Sequence, residues 1–178
     1  TLGVVTEATF ATEPENPETT LFVAYFDNLQ HAVQAIAELR ALPETPSALE
    51  MVDGQLLRLV EQLNPNQLKG TIPQPLPAVV LLVEFDSGHP RNQKRNTKKV
   101  EKLLEKYAAS HHIESEPAEQ EKYWRIRHSS ATLVAHAEGN LRALPVIEDG
   151  VVPPEQLEVY INGIYHLFKH HQLNVAVW

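Results

Sequence analysis

Thr20-Leu21-Phe22-Val23-Ala24-Tyr25-Phe26 decides the fold. Phe22, Ala24 and Phe26 alternate to one side, and Leu21, Val23 and Tyr25 alternate to the other. A period of two with apolar residues on both sides predicts a central strand, because neither face can be left to water. Asp27-Asn28 follows as a helix N-cap, and Leu29, Val33, Ile36 and Leu39 then recur at helical spacing until Pro43 ends the run. Ala78 to Phe85 is a second near-continuous apolar run, closed by the turn-forming Asp86-Ser87-Gly88-His89-Pro90. Between these strands, Ala48 to Met51 predicts a shorter strand, and Leu56, Val60 and Leu63 predict a helix from about Asp53. Pro65, Pro73, Pro75 and Pro77 mark a loop.

Downstream, Val100, Leu103, Leu104 and Tyr107 form the apolar stripe of a Lys-rich helix, and His111-His112-Ile113 suggests a short edge strand. Pro117 suits the first turn of a helix bearing Tyr123, Ile126, Ser130 and Leu133 on one side. Leu144 to Val152 is expected to be a strand. Pro153-Pro154-Glu155 opens a last helix whose Leu157, Tyr160, Ile161, Ile164 and Phe168 keep the 3.6 period, and Asn174 to Trp178 is expected to be a closing strand. Thr1 to Phe10 also has a strand-like, β-branched composition. The predicted class is α+β, a ferredoxin-like mixed or antiparallel sheet joined by split β-α-β units with its helices packed mainly on one face.

Composition narrows the chemistry. The chain of 178 residues has no Cys, which excludes disulfides, thiolate metal sites and cysteine nucleophiles. A formal charge of -8 argues against a nucleic-acid partner. Glu101 and Glu105 interleave the Lys-rich helix, which predicts a solvated face. No apolar run is long enough for a membrane span and no leader pattern opens the chain, so a cytoplasmic location is expected. His166, His170 and His171 lie on the last helix, but no His-Glu-x-x-His pattern accompanies them, and no metal site is expected within these residues. The missing initial Met and the abrupt ends lead to the expectation that both ends are cut from a longer chain.

Three segments are candidates for function. Gly3 in Thr1-Leu2-Gly3-Val4-Val5-Thr6 would let backbone lie close to another group. Arg125 and Arg127 in Trp124-Arg125-Ile126-Arg127 must point to different sides of their helix, so one can face inward, and an Arg fork matches both oxygens of a carboxylate. Glu148 and Asp149 form an acidic pair in an apolar run and call for partners, either for proton transfer or for structural hydrogen bonds.

Taken in order, these segments resemble the FAD-linked oxidases of the glycolate oxidase and D-lactate dehydrogenase type. Thr1 to Ala8 resembles the segment closing their FAD-binding domain, Trp124-Arg125-Ile126-Arg127 is similar to their Trp/Leu-x-x-Arg helix, and Leu144 to Pro154 resembles their Glu-Asp-x-x-Val-Pro element. The resemblance implies a cap domain over residues 11–178, with residues 1–10 ending the flavin domain. It implies an FAD enzyme that oxidises a 2-hydroxy acid to a 2-oxo acid, with Gly3, Val4 and Val5 touching the flavin and Arg127 holding the substrate carboxylate. Glu148 and Asp149 are weaker candidates for substrate contact. The implied partners are the hydroxy-acid substrate and the FAD-binding domain of the same chain. The family's His-rich motif, with its catalytic histidines and a divalent metal, would follow Trp178, leaving these residues inactive alone. Some members carry a Thr and a Lys where Ala131 and Ile147 stand here, so the acid itself stays open. The alternative from another class is a stand-alone α+β binding or dimerisation module without cofactor.

Overall fold

The computed structural model describes residues 3–12, 16, 18–86, 90–135, 147 and 150–177. Strand β1 (Thr20–Phe26) is buried from Leu21 onward, and β3 (Val79–Phe85) is buried except at Glu84. They pair antiparallel, Val23 opposite Leu82, and form the middle of a four-stranded sheet. Its order is β2-β3-β1-β4, with β2 (Ala48–Asp53) outside β3 and β4 (Ser110–Glu114) outside β1. Every pairing is antiparallel. β1 and β2 therefore run parallel with β3 between them, and β3 and β4 run parallel with β1 between them: two interleaved split β-α-β units, as expected for the α+β class.

The crossover helices α1 (Leu29–Arg40) and α4 (Pro90–Tyr107) share one face, over Phe22, Ala24, Phe26, Leu81 and Val83. Asn28 caps α1 by accepting from the His31 N–H at 2.9 Å. Lys106 on α4 reaches Glu38 on α1 at 2.8 Å, so the solvated face of the Lys-rich helix contributes one tie.

The expectation of helices mainly on one face needs correction. The opposite face is covered by α2 (Gly54–Leu63), the short α3 (Pro65–Leu68) and α5 (Pro117–Ala135), over Leu21, Val23, Tyr25, Val80 and Leu82. At roughly 2 kcal/mol per large apolar side chain, leaving those five in water would cost about 10 kcal/mol. That is comparable with the whole stability of a domain, so a two-sided strand requires two helical layers. Gly54 is where α2 leaves the sheet. Its N–H donates to the Ala78 carbonyl at 2.7 Å, and a Cβ there would stand 2.7 Å from the Pro77 carbonyl oxygen.

α6 (Leu157–His170) follows a 3-10 turn over Pro154–Gln156 and buries Ile161 on the α1 side of the molecule. Two other expectations differ from what is found. Residues 4–12 and 173–177 form no strand, because they join no ladder; Val177 alone exchanges backbone and side-chain hydrogen bonds with Asp53 at the end of β2. Of the segment Leu144 to Val152, only residues 147 and 150–152 are described, and these are not strand. No helix among the described residues is long and apolar enough to cross a membrane.

Candidate functional site

Helix α5 carries the candidate substrate-binding residue, and its course over the sheet sets the site. Its first turn is pinned by Gln120, whose amide N–H groups donate to the carbonyls of Thr19 at 3.0 Å and Glu114 at 2.9 Å, while the Thr19 hydroxyl donates to its Oε1 at 2.8 Å. Gln120 is buried, and these bonds satisfy it completely enough to tolerate that burial. One turn on, the Tyr123 hydroxyl meets His112 Nε2 on β4 at 2.9 Å. Ile126 enters the core, and Arg127 then donates from Nε to Glu50 Oε2 on β2 at 2.8 Å. Within seven residues, about 10 Å of helix rise, α5 thus passes from one edge strand to the other.

Arg125 and Arg127 separate as their spacing required. The Arg125 side chain is exposed and lies 3.9 Å from Glu121, one turn back. Arg127 faces the sheet with its side chain 25% exposed, against 37% for Glu50. Gly3, Val4 and Val5 lie away from the core: Val4 and Val5 are 89% and 83% exposed, and no atom lies within 4 Å of where a Gly3 Cβ would stand. Glu148 and Asp149 lie outside the described residues. Ile147 is exposed.

The structure adds two groups that sequence reading missed. The first is an aromatic cluster in which Tyr25 stacks on His112, His112 meets Tyr123, and the Tyr25 hydroxyl donates to the Thr71 carbonyl at 3.1 Å. Burial pushes both tyrosines above their ordinary range, so they remain protonated donors and cannot serve as bases near neutrality. Burial lowers His112, with Glu114 at 3.4 Å opposing and His111 reinforcing the shift. A lowered folded value favours the neutral ring. The stability His112 contributes is therefore full above about pH 6.5 and is lost as pH falls through the lowered value. His112→Gln is expected to flatten this acid limb, measured as urea midpoints from about pH 7.5 to 5; an unchanged difference between the two proteins across that range would remove His112 as its source. The sequence signal was an adjacent His pair on an edge strand, whose members must face opposite sides of the sheet.

The second group centres on Asp53, which is 2% exposed. Its carboxylate accepts from the Leu56 N–H at 2.7 Å, the Tyr165 hydroxyl at 2.5 Å and the Val177 N–H at 3.0 Å. Burial raises the Asp53 carboxyl and these three donors oppose the rise. A neighbouring crevice lined by Val52, Leu57, Ile72, Val80, Leu82, Tyr123 and Ile126 is apolar except for one hydroxyl, and it belongs to the core. Among the described residues, no three His, Asp or Glu side chains converge as metal ligands would.

Among the described groups, Arg127 is a part-buried cation beside Glu50, Tyr25 and Tyr123 stay protonated as hydrogen-bond donors, and His112 favours its neutral ring. Comparison with known proteins places the chain. The family described as "FAD linked oxidases, C-terminal domain" matches residues 15–178. The chain is 27% identical over 176 residues to glycolate oxidase subunit GlcD of Escherichia coli (strain K12), covering 98% of this chain and 33% of that protein. It is 25% identical over 178 residues to glycolate oxidase subunit GlcD of Bacillus subtilis (strain 168), covering 100% of this chain and 36% of that one. The chain thus spans about a third of the length of the curated relatives it matches.

Proposed function

Because the chain belongs to the C-terminal domain family of the FAD-linked oxidases, we propose that it is the substrate-side cap of an FAD-dependent oxidoreductase that oxidises a 2-hydroxy acid of the glycolate or D-lactate kind. The observation that carries this reading is Arg127: the Arg of the Trp-x-x-Arg helix faces the sheet, part-buried and held by Glu50. In this reading the guanidinium takes the substrate carboxylate, fixing the α-carbon and its hydroxyl relative to the cap. Positioning of that kind supplies much of what a protein adds to cofactor chemistry. A fork aimed at solvent on the far side of α5 would have favoured an uncharged alcohol instead.

FAD, when bound, supplies the acceptor for hydride from the α-carbon. The residues of this chain that would touch it are Gly3, Val4 and Val5. Their fit is supported by the open space about Gly3 and the exposure of the two valines, which leave this backbone accessible to a flat ring. Residues 1–10 then close the flavin domain, and 11–178 form the cap. The raised tyrosines stay protonated; the base, with any divalent metal, is what the resemblance implies for a His-rich segment after Trp178. Glu148 and Asp149 stay candidates for substrate contact, and the whole protein is assigned to the cytoplasm.

The test is spectroscopic. The full-length protein should purify yellow, and its flavin absorbance should bleach anaerobically on adding glycolate or D-lactate. A colourless full-length protein that takes up no FAD would overturn the reading; a flavin that stays oxidised with both acids but bleaches with an uncharged alcohol would replace the substrate class.

A further inference from the structure

We infer that Glu50 is the positioning residue for Arg127 and that it limits the clamp to a single carboxylate. The inference rests on the cap reading above and deepens it, because nothing in the sequence pairs these two residues, which lie 77 positions apart.

The geometry is fixed from both ends. Glu50 sits in β2 opposite Leu82 of β3, so the sheet ladder holds its backbone. Arg127 sits on α5, which Gln120 and Tyr123 already pin to Thr19, just before β1, and to β4. The hydrogen bond engages Nε, one edge of a planar group. Holding that edge restricts the plane and leaves the Nη1–Nη2 edge for a substrate carboxylate, which could approach it end-on with two parallel bonds. An exposed ion pair would be too mobile for this role and worth little. Here both partners are part-buried, and their backbones belong to packed elements.

Charge then sets the class of acid. Arg127 and Glu50 together are neutral, so one incoming carboxylate meets one cation already shared with one anion. The second carboxylate of a dicarboxylic hydroxy acid would lie in the field of Glu50, where like charges repel. The fitting substrate is therefore a monocarboxylic 2-hydroxy acid with a small uncharged remainder.

The experiment uses the full-length flavoprotein and the variants Glu50→Ala, Glu50→Gln and Arg127→Ala, with D-lactate and D-malate as probes. Calorimetric titration of the oxidised protein with pyruvate gives a readout that does not depend on turnover. Glu50→Ala should raise the KM for D-lactate about tenfold, leave kcat within about twofold, and weaken pyruvate in step. Glu50→Gln, which keeps an acceptor for Nε without the charge, should recover most of the affinity for D-lactate and narrow the preference over D-malate several-fold. Unchanged D-lactate and pyruvate affinity in Glu50→Ala, with Arg127→Ala impaired, overturns the inference while sparing the cap reading. Unchanged affinity in Arg127→Ala overturns the clamp itself. Should Glu50→Ala fail to fold, the D-malate comparison in Glu50→Gln decides, and an unaltered preference counts against the role.

Discussion

Arg127→Ala in the full-length flavoprotein is expected to raise KM for D-lactate or glycolate about 100-fold, with the larger part of the loss in KM and not in kcat. The estimate takes the low end of what two charge-assisted hydrogen bonds to one carboxylate contribute, roughly 1.5 kcal/mol each, and about 1.4 kcal/mol corresponds to tenfold. Binding that is equal in the ground and transition states appears in KM, which is why the split between constants is informative. Arg127→Lys should recover part of the charge but little of the geometry, since an ammonium cannot form both parallel bonds or the Nε bond to Glu50 at once. The variant should still fold. Arg127 lies at the margin of the core cluster beside it, whereas Tyr123 and Ile126 carry the packing of α5. A KM that does not move would take Arg127 out of the substrate site.

Asp53→Ala is expected to cause the largest loss of stability of any single polar change in the described residues. Asp53 caps α2 and also receives donors from α6 and from Val177, so three otherwise separate pieces meet on one buried carboxylate. Losing the cap costs about 1 kcal/mol, and leaving the Tyr165 hydroxyl and the Val177 N–H without their acceptor brings the total to about 3 kcal/mol. For a domain of this size that lowers Tm by roughly 6–12 °C, measurable by calorimetry. Tyr165 should stay protonated as a donor, because burial and the adjacent carboxylate both raise it. Tyr165→Phe should therefore cost less, removing one of the three donors and sparing the cap. For Asp53 itself the sign is set by its raised folded value: its proton-linked contribution is present below the ordinary carboxylate value of 3.8 and is lost as pH rises through the raised one. A shift of Tm under about 2 °C in Asp53→Ala would show that the tail and α6 are held by other contacts.

Much of the architecture was legible from short stretches. The two-sided apolar run at Thr20 to Phe26, the second run ending at Phe85, the cap at Asn28 and the helix start at Pro117 all form where their patterns require. The strand expected around His111 forms as β4, and the helix expected from about Asp53 begins at Gly54 with Asp53 as its cap. Expected strands at Thr1 to Phe10 and Asn174 to Trp178 had suitable composition, and their described residues make no ladder. β-propensity records fitness for a pleated, half-buried surface and does not supply a neighbouring strand.

By itself, the sequence determined the two central strands and most of the helices, the α+β class, the divergence of Arg125 and Arg127 around their helix, and the family to which the chain belongs. These follow from short-range backbone sterics, from hydrogen bonds within a turn, and from the order of motifs. Tertiary structure alone decided that the second sheet face carries α2 and α5, that Glu50 is the partner of Arg127, and that Asp53 gathers Tyr165 and Val177 from 112 and 124 residues away. Such pairings depend on strand order and register. Placing β2 outside β3 puts Glu50 at the edge that α5 reaches, and a slip of one residue in that ladder would turn Glu50 to the other face of the sheet.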